Sequence, residues 1–132
     1  MKRLLLTSAL LLASSVSYAT EAVDTLLAEY QAQGAESFTV EAGKTLWFQE
    51  FTDAESGKIR QCTTCHTDDL TKTGKHARTG KAIEPLAPSA NPKRLTDVKE
   101  IRKWFKRNCK WTLGRECTAQ EKGDVLTFIQ AQ

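Results

Sequence analysis

The sequence predicts an all-α fold, on three observations. Four stretches space their apolar residues as helices do. No Val/Ile-rich alternating run marks a convincing strand. A long segment rich in Gly and Pro, residues 67–92, has no apolar periodicity and reads as an ordered loop. The chain's 132 residues and four cysteines fit one small domain in which bound or covalent staples supplement the core.

The elements follow in order. From Glu21 to Gln33, Val23, Leu26, Leu27 and Tyr30 fall at i, i+3, i+4 and i+7, and Gly34 stops the helix. Thr39 can cap a second helix from Val40 to Phe51, with Leu46, Trp47 and Phe48 on it. Thr52 to Gly57 is a polar turn, and a short helical turn is expected at Gln61 to His66. In the loop, Ile83, Leu86 and Ala87 supply an apolar surface, and Asn91 reads as a turn residue before Pro92. Asp97 and Glu100 suggest an acidic capping box for a helix to Asn108. Val98, Ile101, Trp104, Phe105 and Asn108 share its expected buried stripe. Cys109 to Cys117 is a short loop. Thr118 and Glu121 then box the last helix, which buries Val125, Leu126, Phe128 and Ile129.

Chemistry centres on Cys62-Thr63-Thr64-Cys65-His66, the C-x-x-C-H pattern of covalent haem attachment. Two thiols at this spacing reach the two vinyl groups of one porphyrin, and the adjacent His66 supplies the proximal iron ligand. A redox dithiol would want a βαβ context, and no strand-like run precedes Cys62. A zinc site would need four ligands, and only His76 is an obvious further partner.

Residues 1–19 read as a secretory signal peptide: Lys2 and Arg3, the apolar run Leu4 to Ala13, then Ser17-Tyr18-Ala19 for cleavage. The apolar run is short for a membrane span, so no stable membrane insertion is expected after cleavage. Export to the periplasm fits haem c, which is attached outside the cytoplasm. The formal charge of +3 includes Lys2 and Arg3, so the mature domain is nearly neutral and its charge predicts no nucleic-acid partner. Basic residues gather between Lys99 and Arg107, acidic ones between Glu21 and Glu50.

The only methionine is Met1, which leaves with the signal, so a Met/His haem is excluded. Composition leaves His76, a lysine, an asparagine, water or no ligand for the sixth position.

A helix with Gly43 and an aromatic pair before C-x-x-C-H, and a last helix with Phe128 near its end, resemble the terminal helices of class I cytochromes c. In that fold the two helices cross closely, a glycine meeting an aromatic. The resemblance implies an all-α class I cytochrome c fold around one covalently bound haem c, with an extra N-terminal helix, over residues 20–132. From Cys62 to Cys117 the chain also resembles the sphaeroides haem protein family of oxygen-binding cytochromes c. The matching residues are Cys62 to Thr67, Gly74-Lys75-His76, Thr79-Gly80-Lys81, Glu84 to Ser89, Asn91-Pro92, Trp104 to Lys110 and Gly114 to Cys117.

That resemblance implies Cys62 and Cys65 as thioether cysteines, His66 as proximal ligand and Asn108 as a displaceable distal ligand. It also implies a disulfide between Cys109 and Cys117, the two cysteines left over, in accord with an oxidising compartment. Closing so small a loop contributes roughly 2.5 kcal/mol by chain entropy. Trp47, His76, Ile83, Leu86, Trp104 and Phe105 are the further candidates for the haem pocket.

The implied function is a periplasmic cytochrome that accepts electrons and reversibly binds O2, NO or CO. The implied electron donor is a diheme cytochrome c, a membrane cytochrome b, or both. Two other readings stay open: a bis-His electron carrier using His66 and His76, and a terminal O2 or nitrogen-oxide reductase. For the latter, His76 is the one distal acid or base in view.

Overall fold

The structure is a computed structural model that describes residues 18–132; the basic and apolar parts of the expected signal peptide lie outside the described residues. Five helices dominate: α1 (Tyr18–Ala32), α2 (Val40–Phe48), α3 (Thr63–His66), α4 (Val98–Leu113) and α5 (Ala119–Gln130). Two small antiparallel ribbons join them. β1 (Phe51–Thr52) pairs with β2 (Ile59–Arg60), and β3 (Gly74–Lys75) pairs with β4 (Ala82–Ile83). Both are two-residue strands closed by turns, too short for sequence alternation to register.

The C-terminal helix is the hub. α2 and α1 both pack on α5, α2 most extensively. Val23, Leu26 and Tyr30 of α1 meet Val125, Leu126, Phe128 and Ile129 of α5 in one core with Trp47, Leu70, Ala87, Leu95 and Ile101. The crossing of α2 and α5 is close because Gly43 has no side chain. A Cβ there would overlap the Asp124 carbonyl and crowd Phe128 Cβ. The expected meeting of a glycine with an aromatic is therefore present.

Caps explain where the helices begin. The Thr39 hydroxyl accepts from Ala42 N at 3.1 Å, and the buried Asp124 carboxylate of α5 accepts from Thr39 N at 2.9 Å. One carboxylate thus ties the start of α2 to the middle of α5. Thr118 and Glu121 form the full reciprocal box expected of them. The Asp97 box is half of one. Asp97 caps Lys99 N and Glu100 N, while Glu100 bonds Lys103 and Trp104 instead of reaching back.

Two boundaries differ from expectation. α2 ends at Phe48, where the chain turns extended to enter the β1–β2 ribbon. α4 runs past Asn108 and Cys109 to Leu113, ending where Gly114 adopts a left-handed conformation with φ 74°. The loop expected at Cys109 to Cys117 is thus more than half helix. Nothing between Asn108 and Leu113 breaks a helix, and Gly114 supplies the stop.

The long loop holds itself together from within. Leu86 N and Ala87 N both donate to the carbonyl of the buried Leu70, each at 2.9 Å. Arg94 Nε and Nη2 donate to the carbonyls of Pro85 and Glu84 at 3.0 and 2.8 Å. Asn91 takes the expected turn role, its Oδ1 accepting from Lys93 N at 3.3 Å.

Two predictions follow from this packing. Gly43→Ala is expected to destabilise the protein by about 1–3 kcal/mol, because the backbone it would strike cannot step aside; denaturant midpoints of the holoprotein measure this. Glu121 is held below the ordinary carboxylate range, first by the Arg115 guanidinium and further by the Thr118 N–H. The unfolded chain therefore takes up this proton first, and the contribution, present above about pH 4.3, is lost as pH falls below it. Glu121→Gln should flatten the fall in urea midpoint between pH 6 and pH 3 relative to the unmutated protein.

Candidate haem site

The pentapeptide is folded as a helical turn. His66 N and Cys65 N both donate to Cys62 O, at 3.2 and 3.3 Å. Gln61 braces the turn: its N–H donates to Thr64 Oγ1 at 3.1 Å, and its side-chain oxygen accepts from Thr63 Oγ1 at 2.9 Å. Gln61 Nε2 also donates to Phe48 O at 3.2 Å, fastening the turn to the end of α2. On the other side the β3–β4 ribbon presses against α3 at Gly74, where a Cβ would overlap the Cys65 carbonyl. Thr67, with φ 66°, turns the chain out of α3.

Trp47 joins the helix crossing to the pentapeptide. Its ring centroid lies 5.5 Å from that of His66 and 5.9 Å from that of Phe128, both tilted. Trp47 is buried and its Nε1–H has no partner among the described residues. Burial, and secondarily the positive charge of Arg94, lowers the His66 pKa to about 4. The imidazole is therefore neutral at pH 7, the form that ligates metal. Burial pushes the Cys62 thiol up to about 11, the reverse of the shift that activates a redox dithiol. Among the described residues no three His, Cys, Asp or Glu side chains converge as a metal cage, so the zinc alternative lacks its ligand set.

Asn108 does not share the buried stripe. α4 buries Ile101, Cys109 and Thr112 and half-buries Val98 and Phe105, a stripe rotated from the expected one. Trp104, Asn108 and Trp111 lie together on the adjoining flank at i, i+4 and i+7. Asn108 is exposed there, and Trp104 is 45% exposed. Cys109, on the buried side, is bridged to Cys117, Sγ to Sγ 2.00 Å. Arg107 and Lys103 flank the Trp104 ring, 5.5 and 5.3 Å from its centroid.

The remaining candidates separate. His76 is exposed, and its Nδ1 accepts from Arg78 N and Thr79 N at 3.3 and 3.2 Å, making it the cap of a tight turn. That turn follows Gly74, which is packed against the backbone of His66. Ile83 is half-buried in the same ribbon, opposite Gly74, and Leu86 packs on the core. Phe105 lines a cleft of about 230 Å³ with Tyr30, Arg102 and Cys117.

The residues fit a haem. Two unpaired, half-buried thiols and a neutral imidazole share one helical turn. Phe48, Ile59, Trp104 and Trp111, on the elements around it, leave a third to a half of their surface uncovered, apolar area suited to a flat ligand.

Comparison with known proteins bears on the same point. Residues 33–129 match a family described only as a domain of unknown function, DUF1924. The chain is 40% identical to the cytochrome c-type protein SHP of Cereibacter sphaeroides, over all of both chains. It belongs to the SHP family of monohaem c-type cytochromes.

The solved structure of oxidized SHP, an oxygen-binding cytochrome c, matches 83% of this chain and 96% of its own at a TM-score of 0.74. Cytochrome c'' of Methylophilus methylotrophus is 35% identical over 71% of this chain and 65% of its own length. Its oxidized crystal structure covers 85% of this chain and 95% of that chain, with 30% identity and a TM-score of 0.75. A solution structure of the same protein addresses haem-ligand detachment; it covers 86% of this chain and 95% of its own, at 31% identity and a TM-score of 0.73. The fold is the all-α cytochrome c fold that the terminal helices imply, and the chain is a haem cytochrome.

Sequence reasoning passed over Arg60, Leu70 and Arg94. Arg60 and Arg94 are long polar side chains whose partners are backbone carbonyls far along the chain, a pairing that residue type does not announce. The geometry of the His76 turn yields a prediction. His76→Ala should leave the ferric and ferrous optical spectra of the SHP-type holoprotein unchanged, while a bis-His haem would lose its low-spin ferrous bands.

Proposed function

We propose that the chain is a periplasmic electron-accepting cytochrome that reversibly binds O2, NO or CO. In this reading Cys62 and Cys65 hold the haem covalently, His66 is the proximal ligand, and Asn108 is a displaceable distal ligand. The haem supplies a redox iron able to bind small diatomic molecules. The observation that carries the reading is the position of Asn108. It stands outside the core, on a flank of α4 between Trp104 and Trp111, on the turn that the Cys109–Cys117 bridge secures.

A neutral carboxamide is a weaker ligand than imidazole or thioether. Its hard oxygen would suit ferric iron better than the softer ferrous state. Its NH2 group would offer a small ligand a hydrogen-bond donor, the distal lever that favours polar diatomics. Below, Trp47 and the Gly74 contact fix the His66 ring and backbone, so the proximal side does not yield. The oxygen binding of SHP and the interest of cytochrome c'' for ligand detachment support a weak sixth ligand. Electron supply by a diheme cytochrome c or a membrane cytochrome b belongs to the same reading. The cationic run of α4 from Lys99 to Arg107 offers an acidic carrier a docking face beside Trp104.

Asn108→Val tests the assignment. The ferric spectrum should change from six-coordinate toward five-coordinate. O2 should leave the ferrous protein about tenfold faster, the effect of losing one hydrogen bond. A variant whose ferric spectrum and ferrous CO and O2 binding match the unmutated protein would remove Asn108 from the iron.

A further inference from the structure

The C-terminal turn of α4, which follows Asn108, is held from two sides. One hold is the Cys109–Cys117 disulfide. The other comes from β2. Arg60 Nη1 donates to Trp111 O at 2.8 Å, and the same nitrogen pairs with Asp53 Oδ2 at 2.8 Å. The Arg60 guanidinium carbon also lies 4.8 Å from the centroid of the Trp111 ring. Asp53 is itself fixed, accepting from Ser56 N at 2.9 Å and Ser56 Oγ at 2.6 Å. The pair is largely shielded, with side-chain exposures of 23% for Arg60 and 14% for Asp53.

Trp111 O is one of the last carbonyls of α4, which no later helical N–H can satisfy. A cation there also complements the negative end of the helix. Arg60 lies two residues before Cys62, and Trp111 three after Asn108. A single side chain therefore spans from the segment that starts the haem-attachment turn to the helix that bears Asn108.

We propose that Arg60 is a positioning residue for Asn108. By tying the β1–β2 ribbon to the last turn of α4, it fixes how far the Asn108 amide stands from the attachment turn, and so how firmly that amide holds the iron. This rests on the reading of Asn108 as distal ligand. The disulfide restrains the same turn from the core side but makes no link to the pentapeptide. Arg60 makes that link, and its planar fork lets one residue bond a carbonyl, pair with a carboxylate and lie on an indole at once.

The test compares Arg60→Met, Arg60→Lys and Asn108→Val holoproteins by ferric optical spectrum, by CO association with the ferrous protein, and by thermal midpoint. Arg60→Met should raise the five-coordinate ferric fraction and change the CO association rate by about threefold or more, the scale of one lost hydrogen bond. Arg60→Lys, which keeps the charge without the planar fork, should fall between and stands in if the Met variant does not accumulate. A lower thermal midpoint in the Arg60 variants, with spectrum and CO kinetics unchanged while Asn108→Val alters both, makes Arg60 a plain staple and overturns the proposal. A spectrally silent Asn108→Val overturns both this proposal and the reading beneath it.

Discussion

The close crossing of α2 and α5 is the contact on which the rest of the architecture depends. It is possible because Gly43 presents bare backbone to the Asp124 carbonyl and Phe128 Cβ. One helical turn later Trp47 falls between Phe128 and His66. The His66 imidazole therefore packs beside a side chain held at that crossing. Asp124 strengthens the arrangement from the same turn of α5, since its carboxylate accepts the N–H of the residue that caps α2. Backbone contact, aromatic packing and capping thus converge within five residues of α5 and fix the side of the site that must not move.

This part of the molecule was legible in the sequence because it is local and periodic. Thr39, Thr118 and Glu121 are caps whose partners lie three residues away, and the stripes of α1 and α5 repeat at helical spacing. The C-x-x-C-H turn could be read because its chemistry demands those residue types. The stripe of α4 lies a fraction of a turn from where apolar spacing puts it. Spacing alone lets Trp104 and Asn108 join Ile101 as easily as Phe105 and Cys109 do. The bridge from Cys109 to Cys117, eight residues on, lies on the buried side, and periodicity does not register it. Apolar character misleads for the same reason: Trp104 is large, yet it serves the flank and not the core. Likewise the end of α4 was set by the left-handed Gly114, six residues beyond where the apolar stripe was thought to finish.

The two faces of the site are built from different kinds of contact. On the His66 side, Gly74 lies on the Cys65 carbonyl, and Gln61 braces the turn through its N–H and its side-chain amide. On the Asn108 side, side chains do the holding. Trp104 is flanked by Arg107 and Lys103 and bonded to Glu100, all near solvent. Exposed cation–aromatic and ion-pair contacts are each worth about 1 kcal/mol or less, so this flank can rearrange at small cost.

That asymmetry is what a releasable ligand requires. A side-chain amide that binds one oxidation state and leaves the other must be held closely enough to return, yet must not be locked in a packed core where release would open a cavity. Under the proposed assignment, Asn108 would meet the second condition because it lies off the buried stripe of α4. Placing it directly before Cys109, and one turn before the carbonyl that Arg60 engages, satisfies the first. His76, by contrast, accepts two backbone N–H groups of its own turn through Nδ1. In the proposed reading, the braced C-x-x-C-H turn and the turn of α4 tied by the disulfide and by Arg60 would be the two sides of one site.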